Sequence, residues 1–281
     1  MAQRRKTAPA RRRFGVALIG GGNMATALIK GLIAAKVYRP AQIVATDVDA
    51  AKRAALRRRF GIAVTADNRA AVQQAAVVIL AVKPQIIDDV LADLRPAASA
   101  RRLFISIAAG IRCARLEAGL GERTRVLRVM PNTPALIGLG MSVLARGTHA
   151  TAADARLGLQ LLRAVGRAVT VPDERLLDAV TGLSGSGPAY VYLFAEGLIA
   201  GGVAAGLEEA LASELALQTL RGAAAMLLQA GERPATLRAR VMSPGGTTVA
   251  GLGELERRGF SDAVVAAVVT ATTRSRQLGG A

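Results

Sequence analysis

Two stretches in the second half of the chain combine hydroxyls, glycines and the start of a helical pattern. Ser184-Gly185-Ser186-Gly187-Pro188 leads into an apolar run, with Pro188 in the first helical turn, where its missing amide costs little. Ser243-Pro244-Gly245-Gly246-Thr247-Thr248 opens a second helical stretch that continues to Arg258. Hydroxyls and amides at a helix N-terminus suit a small carboxylate or phosphate, and equally serve as plain helix caps. Covalent chemistry is poorly served. Gly182-x-Ser184-Gly185 departs from the Gly-x-Ser-x-Gly nucleophile elbow, and no suitable base accompanies it. A single histidine, His149, and a single cysteine, Cys113, leave zinc sites and His-dependent triads without enough ligands or bases.

A third stretch changes the balance. The apolar run at residues 14–19 breaks into Gly20-x-Gly22-x-x-Ala25 and continues with helical spacing through Ile33. In strand-turn-helix context the first glycine permits the turn and the second lets the backbone approach a pyrophosphate. The small third residue lets the helix pack closely on the strand. With a dinucleotide domain present, the hydroxyl-rich loops fit a reductase better than a hydrolase. The cofactor brings the hydride, and the protein has only to orient an acceptor and balance its charge.

The elements that position these loops alternate along the first half. Strand patterns cover residues 42–46, 63–65, 77–82, 103–107 and 125–129, and helical patterns cover residues 50–59, 86–94 and 112–120. Residues 141–144 and 168–171 give two late strands around a helix at 152–165. Alternation of this kind predicts an α/β fold, a parallel sheet wrapped on both faces, with ligand-binding loops at the carboxyl ends of its strands. After Pro172 no strand pattern remains, and residues 176–277 are mostly Ala/Leu-rich helix, which places a domain boundary near residue 173. Residues 211–228 are hydrophobic over much of the helix circumference, which calls for burial on several sides and predicts oligomerisation.

Charge and hydropathy exclude other classes. Of the +17 net charge, Arg4, Arg5, Lys6, Arg11, Arg12 and Arg13 carry six before any acidic residue, in an expected disordered arm at residues 1–13. The remaining +11 is spread over helices, where a solvated face is the ordinary explanation. Trp is absent and no RNA-recognition aromatic motif or zinc finger is present, so no specific nucleic-acid function is expected. The arm followed by residues 14–19 imitates an export signal, but Asn23 and Lys30 interrupt the apolar segment. Residues 189–206 carry Glu196 and several glycines, too broken for a membrane span. A cytoplasmic protein without membrane partners is expected.

Six motifs in order resemble the Δ1-pyrroline-5-carboxylate reductase family of proline biosynthesis. They are Ile19-Gly-Gly-Gly-Asn-Met-Ala25, Ala81-Val-Lys-Pro-Gln85, Ser106-Ile-Ala-Ala-Gly110, Met130-Pro-Asn-Thr-Pro-Ala135, the run from Asp178 to Tyr190, and Ser243-Pro-Gly-Gly-Thr-Thr248. The resemblance covers the chain from about Phe14 onward, and its last two motifs are specific to the family. It implies a Rossmann-type dinucleotide-binding domain at residues 14–172, followed by an all-α C-terminal substrate and dimerisation domain at residues 173–281. The implied reaction is NAD(P)H-dependent reduction of the cyclic imine 1-pyrroline-5-carboxylate to L-proline. Implied cofactor contacts are Ile19, Gly20, Gly21, Gly22, Asn23, Met24, Thr46, Asn68, Ala81, Val82, Lys83, Pro84, Ser106, Ile107, Ala108 and Ala109. Implied substrate contacts are Ser243, Gly245, Gly246, Thr247 and Thr248, with Thr248 orienting the imine nitrogen as the catalytic group. Glu174 matches a family position near the substrate of the partner subunit; an acid at a helix N-terminus, favoured by the dipole, is the alternative. A homodimer is implied, assembled into larger rings in some members.

Met242, where a hydroxyl residue often precedes Ser243, and Arg240, where some relatives carry an amide, depart from the pattern. The cofactor expectation is NADPH, with NADH as the alternative. Asp47 ends the second strand and suits a ribose 2′-hydroxyl, whereas Thr46, Lys52 and Arg53 suit a 2′-phosphate. Related β-hydroxyacid dehydrogenases use a lysine in the helical domain as acid, and Lys is absent after Lys83.

Overall fold

The structure, a computed structural model, describes residues 14–121 and 123–280. The basic arm expected at residues 1–13 lies outside them. Two compact units divide the chain: one runs through Gly185 and takes in the chain from Ala271 onward, and the other is Ser186–Thr270.

The first unit is an α/β sheet. Its elements in order are β1 (Phe14–Ile19), α1 (Asn23–Ala34), β2 (Ile43–Thr46), α2 (Ala50–Phe60), β3 (Ala63–Thr65), α3 (Asn68–Gln74) and β4 (Ala75–Leu80). There follow α4 (Ile87–Leu94), β5 (Leu103–Ser106), α5 (Cys113–Leu120), β6 (Arg125–Met130), β7 (Gly140–Arg146), α6 (Ala152–Leu162), β8 (Gly166–Thr170) and α7 (Leu176–Val180). The strand order is β3-β2-β1-β4-β5-β6-β7-β8. This order reverses direction between β1 and β4, the place where a doubly wound sheet opens a crevice at its carboxyl edge.

Alternate residues of the central strands feed two separate cores, which is why these strands read as unbroken apolar runs. Val16, Leu18, Val77, Ile79, Leu103 and Ile105 pack with Leu28, Ile29 and Leu32 of α1 and Leu161 and Leu162 of α6. Ile19, Val78, Leu80 and Phe104 face the other way, against Ile87, Leu91 and Leu94 of α4 and Leu116 and Leu120 of α5. Helices on both faces remove the need for polar alternation.

Two features differ from the sequence expectation. β7 runs antiparallel to β6, pairing Val129 with Leu144, so the sheet is not wholly parallel. The connection between them is only a 3-10 turn at Thr133–Ile137, too short for the crossover that a parallel neighbour requires. α3 was absent from the expected pattern; it is short, and its signal is the Asp67 cap, whose carboxylate accepts from the Ala70 amide at 2.9 Å.

The second unit is helical: α8 (Gly187–Ala204), α9 (Glu209–Gln229), α10 (Pro234–Arg240), α11 (Thr247–Arg257) and the larger part of α12 (Phe260–Leu278). Within it, the Phe194 and Phe260 rings lie 5.8 Å apart. α9 leaves Leu211, Leu215, Leu217, Met226 and Leu228 exposed in the single chain. Among the described residues, no helix is long and apolar enough to cross a membrane.

Candidate active site

Hydrogen bonds continue past the ends of the central strands and fix where each loop departs. Gly20 N donates to Thr46 O at 2.9 Å, Ala81 N to Ile19 O at 2.8 Å, and Ile107 N to Leu80 O at 3.1 Å. The loops after β2, β1, β4 and β5 are thereby stitched side by side, and with them Ile19, Gly20, Thr46, Ala81, Ser106 and Ile107. Gly20 turns at φ +99, and a Cβ there would lie 2.7 Å from the Ala81 carbonyl oxygen. Gly22 is the N-cap of α1 in extended conformation, no side chain caps that terminus, and its first turn holds no acidic residue. A Cβ on Gly22 would meet nothing within 4 Å. Open space in front of the uncapped amides of Asn23 and Met24 is a cradle for an anion.

The rim of this crescent has defined contacts. The Thr46 hydroxyl is buried and donates to Asn68 Oδ1 at 2.6 Å, while Asn68 Nδ2 donates to Asp93 at 3.2 Å. Thr46 therefore acts by holding Asn68 at the start of α3. Asp47 Oδ2 accepts from the Gly21 amide at 2.8 Å, with the Lys52 ammonium 3.9 Å away. Arg53 donates to the backbone oxygens of Asp47 and Val48, so its guanidinium braces the loop. Lys83 is exposed and precedes a 3-10 turn that starts at Pro84, with Val82 half-buried beside it. In the β5–α5 loop, the buried Ser106 hydroxyl accepts from the Ala108 amide at 3.3 Å, and Ala109 faces solvent.

The hydroxyl-rich loop at residues 243–248 belongs to the other unit. Ser243 O accepts from Gly246 N at 2.9 Å, closing a turn in which Gly245 takes φ +70. Gly246 is the N-cap of α11, whose first turn begins with Thr247 and Thr248, and no side chain caps it. Like that of α1, this terminus has no side-chain cap, but a Cβ on Gly246 would lie 3.0 Å from the Ser243 carbonyl and hydroxyl oxygens. Arg240 is paired with Glu232 at 2.7 Å. Ser184 is held by Asn132, whose Nδ2 donates to its carbonyl and hydroxyl oxygens at 3.2 and 3.3 Å.

Glu174 is engaged within the first unit. Its Oε1 accepts from the Cys113 amide at 2.7 Å and from Arg128 at 3.0 Å. It is therefore an acid at a helix N-terminus, but at that of α5 rather than of its own segment. Burial, reinforced by the Glu174 carboxylate, pushes the Cys113 thiol far up. Sequence reasoning passed over Arg128, although an arginine inside Val126-Leu127-Arg128-Val129 is a signal in itself. A buried charge in a strand needs a buried partner.

Comparison with known proteins gives two matching family models. A family model described as pyrroline-5-carboxylate reductase dimerisation matches residues 174–278, and one described as NADP oxidoreductase, coenzyme F420-dependent, matches residues 15–110. A pyrroline-5-carboxylate reductase from Synechocystis sp. is 45% identical over 93% of this chain and 97% of its own length. This chain belongs to the pyrroline-5-carboxylate reductase family. Among solved family structures, that from Coxiella burnetii superposes with a TM-score of 0.89 at 35% identity, covering 95% of this chain and 98% of that one. A Plasmodium falciparum pyrroline carboxylate reductase, determined with NADP bound, gives 0.85 at 29% identity over 96% of this chain and 100% of that one.

Proposed function

We propose that this chain is the NAD(P)H-dependent reductase that converts 1-pyrroline-5-carboxylate to L-proline. The observation that carries the reading is the strand-end crescent with an open, uncapped α1 terminus, in a chain 45% identical to a family member over nearly its whole length. The residues fit a dinucleotide. Gly20, Gly21, Gly22, Asn23 and Met24 would take the pyrophosphate, Asp47 and Asn68 would border the adenosine ribose, and residues 81–84 and 106–109 would line the nicotinamide half. NADPH is the preferred cofactor in this reading, with NADH as the alternative. When bound, the cofactor supplies hydride to the imine carbon of the substrate, C2 of 1-pyrroline-5-carboxylate.

The chain's own groups then bind and orient. Amides and hydroxyls of residues 243–247, at the positive end of α11, hold the substrate carboxylate. Thr248 hydrogen-bonds the ring nitrogen and fixes which face of the imine carbon is presented. A substrate already protonated on nitrogen has an electron-poor imine carbon and becomes a neutral amine after hydride addition, so no strong protein base is needed. Among the described residues no metal-binding cluster of His, Cys, Asp and Glu occurs, and the reaction calls for none. The exposed leucines of α9 support a homodimer built on the helical unit, with rings of dimers as the larger assembly, in the cytoplasm. The functional boundary is placed near residue 173, supported by the dimerisation match that begins at 174.

The test follows absorbance at 340 nm with pyrroline-5-carboxylate and either NADPH or NADH. Turnover is expected with wild-type protein. Thr248→Ala loses one hydrogen bond to a charged group, about 1.5–3 kcal/mol, and should lower kcat/KM roughly 10- to 100-fold, with Thr248→Ser retaining most activity. No turnover with either cofactor by folded protein would refute the assignment.

A further inference from the structure

We propose that Glu174 and the C-terminal turn of α12 are positioning elements for the cofactor loop between β5 and α5. This rests on the functional reading above. The loop is held at three points, two of them by groups far away in sequence. At its front, Ser106 accepts from Ala108, as described. At its back, Glu174 Oε1 accepts from Cys113 N, the first residue of α5. At its middle, Gly110 turns at φ +75 against the end of α12: a Cβ on Gly110 would lie 3.6 Å from the Leu278 Cβ, and one on Gly279 would lie 3.1 Å from Gly110 O.

The back and middle points are joined through buried charge. Arg128, only 4% exposed, donates to Glu174 Oε1 at 3.0 Å and lies 3.9 Å from Asp178. Asp178, also 4% exposed, accepts from the Ser275 hydroxyl at 2.8 Å. Ser275 sits one turn before Gly279, whose amide donates to Ser275 O at 3.1 Å. The path Cys113, Glu174, Arg128, Asp178, Ser275, Gly279 and back to Gly110 is a closed circuit around the loop. No member of it outside the loop is expected to touch cofactor. Such groups act by fixing geometry, and a displacement of about 1 Å in a positioned element can reduce function up to about 100-fold.

The test measures NADPH Kd by isothermal titration of the full chain, beside kcat and KM for both substrates. Glu174→Ala should raise NADPH Kd about tenfold, while KM for pyrroline-5-carboxylate and kcat at saturating NADPH stay within about twofold. Glu174→Gln keeps an acceptor for Cys113 N and should recover much of the affinity. Ser275→Ala opens the circuit at its far side and should raise Kd about threefold. An unchanged Kd in folded Glu174→Ala overturns the proposal. So does a loss confined to the KM for pyrroline-5-carboxylate, which would place Glu174 at the substrate. If Glu174→Ala does not fold, Ser275→Ala decides by the same Kd, and an unchanged value again overturns it. Wild-type protein that binds neither NADPH nor NADH refutes the functional reading, a result distinct from variants that match an active wild type.

Discussion

Alanine at Gly20 and at Gly22 should have opposite effects, although both glycines belong to one turn. At Gly20 the backbone sits at φ +99, and holding a non-glycine residue there costs about 1–3 kcal/mol. The new Cβ would also lie 2.7 Å from the Ala81 carbonyl oxygen and 3.0 Å from its carbon. Neither partner yields easily, because Ala81 N is bonded to Ile19 O and Gly20 N to Thr46 O. Overpacking of this kind adds about 1–3 kcal/mol. A total near 4 kcal/mol corresponds to a fall in Tm of roughly 8–16 °C for a domain of this size. Gly22 has ordinary extended geometry and open space, so Gly22→Ala costs about 0.5 kcal/mol through the cap and moves Tm by only about 1–2 °C. Its methyl group instead stands in front of the α1 amides and should weaken NADPH binding at least about tenfold, or about 1.4 kcal/mol. Thermal unfolding without cofactor, followed by titration with NADPH, separates the two effects. The argument fails if Gly22→Ala unfolds as early as Gly20→Ala, or if it binds NADPH as tightly as wild type.

Two further outcomes follow from the site. The Cys113 thiol is buried and pushed far above its ordinary range, so native protein at pH 8 should react with a thiol reagent at least about 100-fold more slowly than urea-unfolded protein; equal rates would refute the burial. Asp47→Asn removes the carboxylate that the proposed function places beside the adenosine ribose while keeping an acceptor for the Gly21 amide. It should shift the ratio of kcat/KM values about tenfold toward NADPH, and a shift toward NADH would refute that placement of Asp47.

Much of the molecule was legible because its determinants are local. A glycine turn between an apolar run and a helical pattern needs only neighbouring residues, so residues 14–33 could be assigned as strand, turn and helix. The same holds for the helix start at residues 243–248 and for the change of character after Pro172. The direction of β7 escaped, although the strand itself was expected, because direction is set by how far a connection can reach, which residue periodicity does not encode.

The sequence by itself determined the glycine turn after β1, most of the succession of strands and helices, and the family. Tertiary structure alone decided what the polar residues do. Thr46 became a support for Asn68 and Arg53 a brace for the loop beside Asp47. Glu174 became the acceptor for an amide 61 positions away, and Ser275 the donor to an Asp178 97 positions away. The physical reason is that a hydrogen bond or ion pair depends on distance and angle in space. A side chain's identity states what it can donate or accept; only the packed sheet brings the partner within about 3 Å.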